Sequence, residues 1–467
     1  MKKQKNPILV SLRVLLTFLT TIGLFCVLVG CEITFRDAAD SAGAPSEETE
    51  AQEPLRPEQS EAETQKVPET EEIQEEIVNF EMIPSTMAEK WIDNYSLTGD
   101  PNAVILDGVG IASLNEKIRT ACPTMYDMRS VPEGISGEEI IRQIMLCKAP
   151  QTQKYDSEGN AVTRDRLDLI EGNRNLTAIP ESVTPRTAVV TTRANIRTLP
   201  TDIRFYDEND TNHHYDRIQE AELIVGTPIL VLHESGDGTF VFVQSYYYRG
   251  WVRADRIAYA EMPDYLSFMP DRDNMVYITA SVVTLPDGTR LDMGAALPYI
   301  SSDETSFTVL LPRRGEDGAL HTEEAAIGKE SAHFGPLPYT WGNFASQAFK
   351  FLGTEYSWGG YMEGVDCSGF VCAVFRSFGI MLPRNTGEQK TYGGTVIPLS
   401  GMDGDGVRSV LGELSAPTAL HRPGHVMLYL GMVDGGVYVI HAPRGGECVG
   451  VMELEKLDNL ICSATVD

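Results

Sequence analysis

Cys367 stands where a glycine-rich loop ends and an apolar helical pattern begins, and that junction constrains the fold more than any other feature of the chain. The loop reads Gly353-Thr-Glu-Tyr356-Ser-Trp358-Gly359-Gly360 and leads into Val365-Asp366-Cys367-Ser368-Gly369-Phe370-Val371. Phe370, Val371, Val374, Phe375 and Phe378 recur at helical spacing, and Gly379 follows as a stop. The pattern predicts a helix that starts at the cysteine. Partial positive charge at a helix N-terminus favours thiolate over thiol. Cys372, five residues on, falls on a different face and reads as packing.

A thiolate nucleophile needs a base. Pro423-Gly424-His425 opens the strand-like run Val426-Met427-Leu428-Tyr429-Leu430, and a Val433-Asp434-Gly435-Gly436 turn leads to Val437-Tyr438-Val439-Ile440-His441. That is a β-hairpin with one histidine near each outer end. The arrangement suits His425 as general base to Cys367, with His441 orienting His425 and fixing its tautomer. A zinc site of one cysteine and two histidines competes with this reading, but no fourth ligand stands at a familiar spacing. No metal or other cofactor is expected. Asp403-Gly-Asp405-Gly lacks the remaining ligands of a calcium loop and reads as a plain loop. No GxSxG, HExxH or Walker A sequence supports a rival hydrolase or nucleotide class.

These segments, with Leu382-Pro383-Arg384-Asn385-Thr386, His425 to Gly431 and Ile440-His441-Ala442, resemble the NlpC-type cell-wall cysteine peptidases over about residues 337–467. The resemblance implies a papain-like α+β fold, with Cys367 as nucleophile, His425 as base and His441 as third triad member. It also implies that Asp366 and Ser368 hold the substrate amine and backbone, that Tyr356 assists at the reacting centre, and that Thr386 lines the pocket. Family members with SH3-like barrels cut the γ-D-glutamyl–diamino acid bond of peptidoglycan stem peptides, several of them preferring a free N-terminal L-alanine. One departure concerns the pocket wall: Gly412-Glu413-Leu414 only approximates the family's Gly-Asp-Leu, and Ser415 to Arg422 does not read as an apolar strand.

Upstream, Lys2, Lys3, Lys5 and Arg13 precede an apolar stretch from Val14 to Val29, the pattern of an export signal. It ends in Leu28-Val29-Gly30-Cys31, which resembles a bacterial lipobox and implies lipid attachment at Cys31. A simple secretory signal and an uncleaved anchor are the other readings, and all three put the remaining chain outside the cytoplasm. Between Glu32 and Asn79 stand fifteen acids, three bases and a single aromatic, Phe35, too little apolar surface to offset the entropy of ordering. From Ser85 a helical pattern begins, with Met87, Trp91 and Tyr95 on one face; Ser113-x-x-Glu116 and Ser136-x-x-Glu139 read as capping boxes. Cys122 and Cys147 either pair or remain buried thiols.

After Pro185 the apolar period becomes two. Ala188–Thr192, Ile229–His233, Thr239–Gln244 and Gly250–Ala254 are strand candidates, and Ala194, Thr198, Leu199 and Pro200 recur 86 positions on as Ala280, Thr284, Leu285 and Pro286. Asn195 to Pro200, with Arg249-Gly250-Trp251-Val252, resembles the bacterial SH3-like domains of cell-wall proteins.

The expected organisation is a signal peptide (1–30), an acidic tether (31–79), a helical domain (80–185), two SH3-like barrels (186–260 and 261–332) and a cysteine peptidase domain (333–467). A formal charge of −29 argues against nucleic acid as partner. Peptidoglycan stem peptides or muropeptides are the expected substrates of a monomer held at the cell-envelope membrane by its lipid. An N-acetylmuramoyl-L-alanine amidase of the same fold and a non-catalytic wall-binding lipoprotein are the alternatives. Tyr246, Tyr247, Tyr248 and Trp251 of the first barrel are expected to close one end of the cleft.

Overall fold

The computed structural model describes residues 88–445 and 447–467. The export signal, Cys31, the acidic stretch, Ser85 and Met87 lie outside the described residues.

The C-terminal part is a six-stranded antiparallel sheet with helices against it. Its strand order is Thr395–Pro398, Cys462–Thr465, Thr418–Arg422, His425–Val433, Gly436–His441 and Gly450–Glu453. Helix Cys367–Arg376 begins at the predicted residue, buries Phe370, Val371, Val374 and Phe375, and is followed at Gly379 by a backbone φ of +75°. Only a residue without a Cβ takes that conformation cheaply. The predicted hairpin is present, with Leu428 opposite Ile440 and a bulge between Tyr429 and Gly431.

Two expectations are corrected here. Thr418–Arg422 is a strand, buried at its first four residues and hydrogen-bonded on both sides, to His425–Val433 and to Cys462–Thr465. Pairing on two sides satisfies the backbone that Thr418 and His421 would otherwise expose, so composition alone understates it. Asp403-Gly-Asp405-Gly is the start of helix Gly404–Gly412, with the Asp403 carboxylate accepting from the Gly406 amide at 2.8 Å.

Seven strands, Arg186–Val190, Ala194–Arg197, Gln219–Leu223, Pro228–Glu234, Phe240–Gln244, Arg249–Arg253 and Ile257–Tyr259, form the first barrel's sheet around Val190, Ile196, Val231 and Val243. The second barrel combines a five-stranded sheet with the hairpin Val282–Thr284/Arg290–Asp292, and Gly288 and Gly318 make turns with positive φ.

Among the described residues, the upstream helices share the cores of the later domains. Trp91, Ile111, Leu114 and Ile118 join Phe344, Phe370 and Phe375 of the C-terminal core. Ile140 and Ile144 join Phe268, Val276 and Leu297 of the second barrel. Strand Val104–Leu106 also pairs with Tyr339–Thr340. Ser136 caps helix Gly137–Leu146 as expected, although Glu139 turns to Arg142 and Gln143 instead of closing the box. Ser113, by contrast, lies inside helix Gly108–Ala121, whose cap is Asp107. Cys122 and Cys147 are both free thiols.

Candidate active site

Each cleft residue can be traced to the element that holds it. Asp366 precedes helix Cys367–Arg376, and its carboxylate accepts from the Gly369 amide at 2.6 Å, a cap that fixes the first turn and so the direction of the Cys367 side chain. The same carboxylate accepts from the Gly359 amide at 3.0 Å and from both terminal nitrogens of Arg384, at 3.0 and 2.8 Å. Ser368 donates its hydroxyl to Asp366 and accepts from Arg384 at 3.0 Å. Arg384 also donates to Glu222 of the first barrel at 3.0 Å. The guanidinium is fully buried between two carboxylates, which hold its pKa far above the ordinary arginine value despite burial. The cation that pairs with Asp366 is thus Arg384 and not a substrate amine of the kind the resemblance implies.

The thiol lies beside the hairpin. Val426 of the hairpin strand lies beside the Cys367 sulfur, and Thr386 Oγ1 is 3.8 Å from it. His425 and His441 meet across the hairpin ends, Nε2 to Nδ1, at 2.8 Å. His425 Nδ1 is buried and has no partner among the described residues. Tyr356 is buried next to Cys367, and burial followed by the nearby thiol and Asp366 push its hydroxyl well above the usual phenol range.

The electrostatics depart from the expectation of a resting thiolate. Burial, reinforced by Asp366, raises the Cys367 pKa. Burial, then His441 and the guanidinium groups of Arg422 and Arg444, lowers His425 to about 3. His441 is lowered to about 4 by burial and Arg422. Desolvation of the charged forms thus outweighs the helix terminus, and the cleft at rest holds a neutral thiol and neutral imidazoles.

The cleft wall also differs. Trp251 is wholly inside the first barrel against Phe242; Tyr247 donates to the Glu222 carbonyl and Tyr248 to the Glu220 carboxylate. One barrel residue that meets the cleft is Tyr215, whose ring packs on Tyr356 and Trp358 at 6.3 and 5.8 Å and whose hydroxyl accepts from the Gly445 amide. Gln219 accepts the Trp358 indole N–H on its carbonyl and donates its amide to Gly359. Gly359 and Gly360 have φ of +62° and +69°, and a Cβ on them would fall 2.7 Å from Gln219 and 2.4 Å from Glu222. Both glycines are there because the barrel leaves no room for more. Tyr215 and Glu222 were not singled out from the sequence, because neither sits in a motif.

A cysteine at a capped helix start, next to a hairpin carrying a buried histidine pair, defines a peptidase of the cysteine type. The chain carries an NlpC/P60 family domain, matched over residues 353–457, and an SH3 domain of the SH3b1 type, matched over residues 204–253. It is 26% identical over 258 residues to a γ-D-glutamyl-L-lysine dipeptidyl-peptidase of Bacillus cereus, covering 50% of this chain and 70% of that one. The Bacillus subtilis protein of that name is 25% identical over 252 residues, covering 52% and 78%. An NlpC/P60 endopeptidase from Photobacterium damselae subsp. piscicida shares the fold at a TM-score of 0.65 and 20% identity, covering 79% of this chain and 94% of that chain. The protein is a cell-wall hydrolase, and its relatives point to an extracellular or envelope location. No helix among the described residues is long and apolar enough to cross a membrane.

Proposed function

We propose that the protein hydrolyses the γ-D-glutamyl–diamino acid bond of peptidoglycan stem peptides through Cys367, His425 and His441. The observation that carries this reading is the 2.8 Å contact between His425 Nε2 and His441 Nδ1, which leaves His425 Nδ1 as the ring's free nitrogen. If His425 Nε2 donates to His441, Nδ1 is a lone-pair acceptor for the thiol proton. Cys367 loses its proton to His425 as the sulfur attacks the γ-glutamyl carbonyl. The amide of Cys367, with no intrahelical acceptor at the first position, stabilises the oxyanion. His425 then protonates the departing amine, and water releases the thioester as the free γ-carboxylate. Tyr356 and Thr386, both beside the sulfur, border the reacting carbonyl.

The preference for a free N-terminal L-alanine rests on two features. Tyr215 projects from the barrel over Tyr356 and Trp358, where it limits the length of peptide that the cleft accepts. Asp366, Arg384 and Glu222 together carry one net negative charge, which favours an ammonium nearby. In this reading Asp366 and Ser368 act mainly by holding the helix start. Lipid attachment at Cys31 would keep this activity at the envelope membrane.

The test supplies L-Ala-γ-D-Glu-diaminopimelate and its N-acetylated form to the purified protein and identifies the products. Release of L-Ala-D-Glu from the free peptide, at least tenfold faster than cleavage of the acetylated one, is expected. Release of the intact peptide, with L-alanine at its N-terminus, from an N-acetylmuramoyl peptide supplied alongside would make the protein an amidase, and no turnover of any of the three would leave it a wall-binding protein.

A further inference from the structure

Helix Cys367–Arg376 has a second working face. Gly369, Ala373 and Arg376 lie one turn apart on it and close a cavity of about 240 Å³ between the peptidase domain and the two barrels. Neither Cys367 nor either histidine of the cleft lines it. The volume far exceeds what one water needs and lies below the ~300–1,000 Å³ of pockets for drug-sized ligands.

Two buried groups of opposite charge line this space, each with part of its hydrogen-bonding capacity unused. Arg376 is 6% exposed; the rings of Tyr246 and Tyr247 lie beside its guanidinium, but Nε and Nη2 have no acceptor among the described residues. Those two nitrogens form one edge of the guanidinium fork, the edge that takes a carboxylate with two parallel hydrogen bonds. Asp292 is 8% exposed and accepts Arg193 and Arg290 on Oδ1, at 2.6 and 2.9 Å, while Oδ2 has no donor. Arg376 and Asp292 do not pair with each other, no ion pair between them falling within 4.0 Å. Leaving both buried and open is costly. A molecule with a carboxylate at one end and an ammonium at the other satisfies both at once. Val282, Met293 and Phe351 supply an apolar wall beside them.

We propose that this cavity binds a small α-amino acid of the size of glycine or alanine, its carboxylate on Arg376 Nε and Nη2 and its ammonium on Asp292 Oδ2. The site is separate from the cleft and independent of which bond the enzyme cuts.

Thermal unfolding of the full chain, followed while L-alanine is titrated in, reads this binding without turnover. A saturable rise is expected, roughly 2 °C at ten times Kd. Alaninamide, which lacks the carboxylate, and propionate, which lacks the ammonium, should each need at least tenfold higher concentration. Val282→Phe fills the cavity from the second barrel and should abolish the response while unfolding unliganded near the parent temperature; Arg376→Gln should abolish it too. If Arg376→Gln does not fold, Val282→Phe decides alone. A shift that survives Val282→Phe would mean that alanine binds in the cleft. Equal responses to alanine and alaninamide would overturn the carboxylate assignment, and no saturable shift would mean that the cavity holds water only.

Discussion

Cys367 and His425, which we propose as nucleophile and base, stand out by residue type alone, but their protonation does not. A cysteine at a helix start and two hairpin histidines are visible as spacing, whereas the burial that keeps all three neutral depends on how the elements pack together, which spacing does not show. Cys367→Ala should lose at least 10³-fold in kcat/KM with little change in stability, since it removes one small side chain from a capped turn. His425→Ala should be similarly inactive. His441→Asn should retain more activity than His441→Ala, because an amide oxygen can still accept the His425 Nε2 proton. The pH profile has a definite sign: His425 must be neutral to act, and burial lowers its pKa from 6.5 to about 3, so the acid limb of kcat/KM falls well below pH 6.5. An acid limb at pH 7 would show that the imidazole is far better solvated than the structure allows.

Among the elements, strands and helices with regular patterns were legible, and the misread ones are instructive. Thr418–Arg422 lacks alternation because both of its edges are paired and its second strand neighbour, Cys462–Thr465, comes more than forty residues later. Ser113 has the spacing of a cap, yet Asp107 starts the helix six residues earlier and the chain simply continues through it. The buried strand also predicts a stability effect. His421 is fully buried, neither ring nitrogen has a partner among the described residues, and burial lowers its pKa to about 4. Above pH 6.5 it is neutral folded and unfolded alike. As pH falls toward 4 only the unfolded chain takes up the proton, so stability is lost progressively, by up to about 3 kcal/mol at 1.36 kcal/mol per unit. His421→Leu should therefore flatten the fall in Tm between pH 6.5 and 4, and an unchanged slope would assign that fall to other groups.

In the whole molecule, an SH3-like domain ahead of a C-terminal peptidase domain was legible, and their interlocking was not. Composition marks where the barrels begin; it cannot show that Trp91 and Ile111 complete the peptidase core, or that Tyr215, Gln219 and Glu222 reach into the cleft wall. The peptidase domain alone, residues 333–467, should be poorly soluble and inactive, while residues 88–467 should fold; circular dichroism and unfolding of both test this. Arg384→Leu strands two buried carboxylates and should destabilise residues 88–467 by about 3–5 kcal/mol. Glu222→Gln keeps the hydrogen bond but removes one charge, and should cost less, about 1–2 kcal/mol. The shared guanidinium has a further consequence for domain exchange. SH3-like barrels are commonly treated as interchangeable modules, yet a foreign barrel grafted here would bring no carboxylate to Arg384 and would press side chains onto Gly359 and Gly360. A barrel swap at this boundary should therefore keep the fold only if the new barrel also brings a carboxylate to Arg384 and leaves Gly359 and Gly360 clear.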